Sequence, residues 1–521
     1  MRKTIKYKVN NKEVERQINY IPIRYVIAIL ITIFEILAII GIVIVCCIFI
    51  PYFYVAAFLT QVFCVLRIVS GDENPDYKVP WLLVVLVIPV AGFMLYFIFS
   101  SRKLKKKFIK RLDEIKLKDY QRDDKNEFEM LRGENIDAAN DAKMLTKIAD
   151  THLFKDTECE YFPLGEDMHK RMLEDLRGAK KFIFMEYFII ERGVFWDSIL
   201  EILEAKAKEG VEIKVVYDDI GCMSTLPGNY YKILKKKGIE ATPFSRLRGN
   251  ADSEFNNRSH RKITVIDGYI GYTGGVNIAD EYINERVRFG HWKDVGLRLE
   301  GEAAWELTRL FISDYSINVK QMPEIKEHYY PKCENAKGSG YIVPFGDGPR
   351  PLYERRVGKG VIKNMLAGAK RYTYIMTPYL IIDNELCASL ENAALRGVDV
   401  KIITPHIPDK KIVFGMTRSF YKRLMDAGVH IYEYTPGFVH AKVYLCDKEC
   451  AMVGTINLDY RSLVHHFENG VWLYNTKCIE DIENDFLKAL DKCTKIEKGT
   501  LKASVPKRIF RSIVRIFAPL L

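Results

Sequence analysis

Two stretches of this chain show almost no alternation between apolar and polar positions. From Tyr25 to Leu66 the one charged residue is Glu35, and from Val79 to Phe99 there is none. A bilayer span takes about 20 apolar residues, so each run is long enough to cross. A secretory signal peptide has a short apolar core and a small-residue cleavage site. A 42-residue run followed by a second one does not match that form. The pattern predicts an N-terminal membrane anchor over residues 1–101. As one helix, the first run would reach about 63 Å, twice the hydrocarbon thickness. It is expected to be a hairpin turning near Ile50 and Pro51, or one span plus an interfacial segment, giving two or three spans in all.

Charge bears on orientation. Arg2, Lys3, Lys6, Lys8, Lys12, Arg16 and Arg24 precede the first run, and Arg102, Lys103, Lys105, Lys106 and Lys107 follow the second. The loop between the runs, SGDENPDYK, is slightly acidic. Basic flanks tend to stay in the cytoplasm. That favours an even number of spans and a cytoplasmic body at the cell membrane.

Beyond the anchor the pattern changes twice. Residues 102–147 are charged and helix-prone, as in a connector. From about 150, short apolar runs alternate with helical periodicity: KKFIFMEYFII, then WDSILEILEAKAKEG, then VEIKVVYDD. This is βαβ patterning, which implies an α/β fold with a sheet flanked by helices. The pattern then recurs. RYTYIMTPYLII answers KKFIFMEYFII, and AALRGVDVKIITP answers AKAKEGVEIKVVY. The expected layout is a first domain over 148–319, a Pro/Gly-rich linker over 320–352 and a second domain over 353–495. A tail over 496–521 follows, with Ile509, Ile513, Ile516 and Phe517 on one helical face and Arg508, Arg511 and Arg515 on the other. Such a helix suits a membrane interface or packing on the body.

Inside the repeat lies a doubled motif, HRKITVID at 260–267 and HAKVYLCD at 440–447. His260 is followed by Gly274, Gly275 and Asn277, and His440 by Gly454, Thr455 and Asn457, at identical offsets. On a strand, residues i and i+2 share a face, so His260 projects with Lys262 and His440 with Lys442. If the halves face each other, two imidazoles and two ammonium groups converge. That set suits a phosphodiester. Lys262, Lys442, Asn277 and Asn457 hold the non-bridging oxygens. One histidine attacks phosphorus while the other moves protons for the leaving and entering oxygens. The two copies then form one active site, with no metal or cofactor required. Asp267 and Asp447 complete the motifs in a structural part, orienting the loop or the neighbouring copy. Glu468 is a candidate to orient an active-site histidine. His169, His291, His328, His406, His430, His465 and His466 read as satisfied or surface side chains, and Asp218 and Asp219 as turn residues.

The 11 cysteines contain no CxxC pair and read as reduced structural thiols. The net charge of +11 is gathered beside apolar segments. It points to anionic lipid surfaces more than to nucleic acid.

With these residues the chain resembles the phospholipase D superfamily, whose signature is His-x-Lys-x4-Asp followed by Gly-Gly/Thr-x-Asn. Within it, MEYFIIERG, YDDIG, TGGVNIADEY, GHWKD, TPYLIIDNEL, VGTINLDYRS and FENG resemble bacterial cardiolipin synthases. The resemblance runs from about residue 55 to the end. It implies duplicated phospholipase D-like domains. It also implies a reaction in which two phosphatidylglycerol molecules yield cardiolipin and glycerol through a phospho-histidine. His260 is then the nucleophile and His440 the acid/base. Hydrolytic phospholipase D, a phosphodiesterase or nuclease of the superfamily, and a membrane scaffold are the alternatives.

Overall fold

The computed structural model describes the chain except residues 1, 10, 11, 20–22, 50, 51, 73, 101–108, 112, 113, 115–121, 247–256, 320–322, 332–337, 502–513 and 521. The expected turn at Ile50 and Pro51, the basic cluster Arg102–Lys107 and the tail positions Arg508, Ile509, Arg511 and Ile513 lie outside the described residues.

The first apolar run forms two helices, Ile23–Phe49 and Phe53–Ser70, each long and apolar enough to cross a bilayer. The second run departs from the expected continuous span. It breaks at Ile88 into Pro75–Val87 and Pro89–Phe99, because Pro89 has no N–H to continue the helix. The two pieces fold back on each other, with the Trp81 and Tyr96 rings 5.5 Å apart.

The body holds two large sheets of matching topology. The first runs Glu158–Phe162, Gly296–Glu300, Ile270–Gly274, Lys262–Ile266, Phe182–Tyr187, Glu212–Asp218, Glu240–Phe244. The second runs Tyr341–Asp347, Glu468–Tyr474, Cys450–Gly454, Val443–Cys446, Tyr372–Met376, Asp399–Pro405, His430–Tyr434, with Cys493–Lys495 added at its edge. In each, the first βαβ units supply three parallel strands and the rest pair antiparallel. The central strand Lys262–Ile266 is buried along its whole length, as a strand covered on both faces must be. One face of each sheet turns toward the other half. Phe184, Val265, Leu297 and Phe311 share a core with Val443, Val453, Val471 and Phe486.

Two expected boundaries shift. Tyr341–Asp347, in the stretch read as linker, is an edge strand of the second sheet. In the stretch read as connector, Lys125–Glu134 and Ile136–Ala149 are helices that bury Leu131, Ala142 and Leu145 in the second half's outer core.

Candidate active site

Short parallel pairings between the halves set the site. Ser259 bridges to Phe467, and the His260 N–H donates to Phe467 O at 2.8 Å. The second half repeats this. Gly437–Val439 pairs with His291–Lys293, and the His440 N–H donates to Lys293 O at 2.7 Å. One residue further along each partner segment comes an acid, Glu468 or Asp294. Each histidine therefore meets the carboxylate of the other half. His260 Nδ1 lies 2.9 Å from Glu468 Oε2, and His440 Nδ1 lies 2.6 Å from Asp294 Oδ2. A carboxylate on Nδ1 fixes the proton there and leaves Nε2 as the basic nitrogen.

Each lysine reaches back to its histidine, although the strands begin only at Lys262 and Val443. Lys262 Nζ donates to His260 O at 2.6 Å. Lys442 Nζ donates to His440 O and lies 2.9 Å from His440 Nδ1. All four side chains are buried, and their charges feel one another across the halves. Burial pulls Lys262 down to about 7 against the attraction of Glu468, with Lys442 pushing the same way as burial. Burial pulls Lys442 to about 8, against Asp294 and Glu468. His260 falls to about 3 through burial, partly offset by Glu468. His440 falls to about 4 through burial and Lys442, with Asp294 opposing. Burial alone would raise the two acids, yet His440 and Lys442 hold Asp294 below its usual range, and His260 and His466 do so for Glu468. Two ionised acids thus face two lysines poised near neutrality and two neutral imidazoles.

The remaining motif residues divide. Asp267 accepts the N–H groups of Lys180, Lys181 and Phe182 at 2.7–3.0 Å. Asp447 accepts those of Lys370, Arg371 and Tyr372 at 2.6–2.9 Å. Each lies seven residues beyond its histidine, about 23 Å along an extended strand. Asn277 is largely engaged, accepting from Ile189 N at 3.0 Å and donating to Tyr282 OH at 2.8 Å. Asn457 Oδ1 is buried with no hydrogen-bond partner among the described residues. At the equivalent positions 275 and 455 the halves differ. A Cβ on Gly275 would lie 2.0 Å from Asp294 Oδ1, whereas the Thr455 hydroxyl donates to Glu468.

Asp294 is the functional residue that sequence reasoning missed. Its signal is the shared acid-x-Gly: Asp294-Val-Gly296 and Glu468-Asn-Gly470, whose glycines pair with Gly274 and Gly454. His466, read as a satisfied or surface side chain, is instead buried in the site, 5.6 Å ring to ring from His260. Trp292 occupies the matching place 5.6 Å from His440. Asp218 keeps its turn role, accepting from Ile220 N and Gly221 N and pairing with Arg258. His260, His466 and Glu468 bring donor atoms within 4.8 Å of one another, close enough for a metal ion. Glu468 is, however, already engaged by His260 and Thr455.

A duplicated sheet with paired His-x-Lys motifs is a phospholipase D-like fold, and comparison with known proteins agrees. The phosphatidylserine synthase of Haemophilus influenzae superposes with a TM-score of 0.56 over 73% of this chain and 98% of that one, at 14% identity. Residues 172–287 and 362–490 match the model described as cardiolipin synthase, PLD-like domain, and residues 60–100 match phospholipase D-nuclease N-terminal. An uncharacterized protein of Streptococcus mutans is 41% identical over 88% of this chain and 99% of its own. A cardiolipin synthase of Halalkalibacterium halodurans is 32% identical over 90% of this chain and 94% of its own. The chain belongs to the cardiolipin synthase family.

Proposed function

We propose that this protein is a membrane-bound phosphatidyltransferase that joins two phosphatidylglycerol molecules into cardiolipin and releases glycerol. The crossed pairing carries the reading, because it makes two histidine–carboxylate pairs and two lysines into one site. The donor diester brings a negative charge between Lys262 and Lys442, which raises both toward full protonation and orients the non-bridging oxygens. Glu468 holds the His260 Nδ1 proton, so Nε2 presents its lone pair to phosphorus. His440, raised by the same anion and steadied by Asp294, protonates the departing glycerol oxygen. It then takes the proton of the acceptor's terminal hydroxyl as that oxygen displaces His260. One phosphodiester replaces another, so no nucleotide enters. The doubled membrane crossing and basic flanks support a multi-pass protein with its body in the cytoplasm. Those flanks suit anionic lipid more than nucleic acid.

The test is product analysis with purified protein in phosphatidylglycerol vesicles, with and without EDTA. Cardiolipin and glycerol in equal amounts are expected, with turnover unchanged by the chelator. Phosphatidic acid as the main product would replace the reading with hydrolysis. Loss of turnover in EDTA, restored by one divalent ion, would overturn the metal-free chemistry.

A further inference from the structure

Pro75–Val87 and Pro89–Phe99 contain 13 and 11 residues. They are about 20 and 17 Å long at 1.5 Å per residue, each short of the roughly 30 Å hydrocarbon layer. They do not continue one another. Trp81 and Tyr96 would stand about 22 Å apart on one straight helix, yet their rings are 5.5 Å apart. Gly92 allows the close turn, since a Cβ there would lie 2.4 Å from Val84 O.

The break leaves backbone groups to be satisfied. Pro89 has no N–H to offer Val85 O, and the last carbonyls of a helix are orphans. Lipid supplies no donor for them. Gln61, on the crossing helix Phe53–Ser70, does: its Nε2 is 3.0 Å from Val85 O and 3.3 Å from Leu86 O. Gln61 stands nine residues before Ser70, about 14 Å along the helix and so near mid-bilayer.

The other end of the hairpin is fastened to the catalytic body. Asn74 Nδ2 donates to Asp383 Oδ2 at 3.0 Å, and Asp76 Oδ2 accepts from Asn384 N at 2.9 Å. The Tyr77 ring meets Tyr460 at 5.3 Å and His465 at 6.2 Å, on the segment that leads into His466 and Glu468. The strand Arg2–Val9, before the first crossing helix, touches the body helix Val194–Lys208.

We infer that residues 75–99 form a re-entrant hairpin that enters the leaflet on the body's side, turns at mid-bilayer on the amide of Gln61, and returns to the same side. The crossings are then Ile23–Phe49 and Phe53–Ser70, and Asp72 and Asn74 share a membrane face with the body. The inference rests on the membrane-bound reading above. It extends that reading by making the hairpin a half-depth wedge beside the active site, which draws its lipid from that one leaflet.

Cysteine accessibility tests it on the full-length protein in cells. Tyr52→Cys, Asp72→Cys, Ile88→Cys and Glu209→Cys are treated with a membrane-impermeant maleimide before and after permeabilisation. Peptide mapping separates them from the native cysteines. The expected result is that Asp72→Cys and Glu209→Cys label together, Tyr52→Cys labels from the opposite side, and Ile88→Cys labels from neither. Labelling of Asp72→Cys and Glu209→Cys together from outside would reverse the cytoplasmic reading and still support the hairpin. Labelling of those two positions from opposite faces would overturn it. Gln61→Met, which keeps the side chain's length without its donor, should lower the yield of folded protein from membranes several-fold. An unchanged yield would remove Gln61 from its capping role.

Discussion

Lys262 and Lys442 show how much of this site works against folding. Their ammonium groups are buried and titrate at about 7 and about 8, whereas an unfolded lysine titrates near about 10.4. Both are bases with depressed folded values. Between about pH 7 and pH 10 the unfolded chain therefore binds more protons, and stability rises with pH across that window. Below it, the cost of the buried charge is present in full. Lys262→Met should therefore abolish transfer yet raise the melting temperature at pH 6, as thermal melts would show. A lower melting temperature would mean that the ammonium holds the site together. The same values set the pH dependence of binding. A diester anion must restore the lysine charges, so KM should climb as pH rises through 8, with proton uptake on binding visible by calorimetry in buffers of different ionisation enthalpy. The histidines should fail differently. A p-nitrophenyl phosphodiester leaves with little acid help, so His440→Ala should still give a burst of p-nitrophenol and a labelled phospho-histidine. His260→Ala should give neither. Label trapped in His260→Ala but not in His440→Ala would exchange the two roles.

At the scale of elements, the last residue of each motif is a clasp. Asp267 and Asp447 both turn through a left-handed backbone conformation, φ 53° and 56°, and gather three backbone N–H groups each from the start of a neighbouring strand. Asp447→Ala would leave those donors without their acceptor, at a cost of about 3 kcal/mol or more. Denaturant titration should show that loss, while turnover per folded molecule falls far less than in His440→Ala. An activity loss as deep as the histidine variant's, at full stability, would move Asp447 into the chemistry. The clasps and the strands they join were legible because a doubled motif within a doubled βαβ pattern reports on local order. Asp294 was not, because its partner His440 is 146 residues away and no local pattern reports a contact between halves. His466 was passed over for the same reason. The run Val79–Phe99 misled in another way: hydropathy measures apolar length and is blind to direction, and Pro89 and Gly92 are what let the segment turn back. Tyr341–Asp347 was hidden by Pro344 and Gly346, which an edge strand tolerates and a linker favours.

As a whole molecule, the body is a pseudo-dimer that cannot be divided without dismantling its site. Each motif histidine takes its carboxylate from the other half, His260 from Glu468 and His440 from Asp294. The faces that carry Val265 and Val443 are buried against each other. Further ties cross the boundary, with Tyr161 OH and Lys293 Nζ of the first half both meeting Asp485 of the second, at 2.6 and 2.8 Å. A chain cut between Pro331 and Gly338 would therefore give two pieces that each expose a broad apolar sheet face and hold a histidine without its acid. Expressed alone, each piece should be inactive toward lipid and toward a p-nitrophenyl diester, and prone to aggregate. Expressed together, the pieces have all the surfaces needed to pair, since the cut falls between Tyr329 and Ile342 of the shared core and removes neither. Cardiolipin formation should then return in membranes, and the pieces should co-purify. Placing His440→Ala in the second piece should abolish it again. Turnover by either piece alone would show that one motif suffices, and the crossed pairs would lose their place in the mechanism.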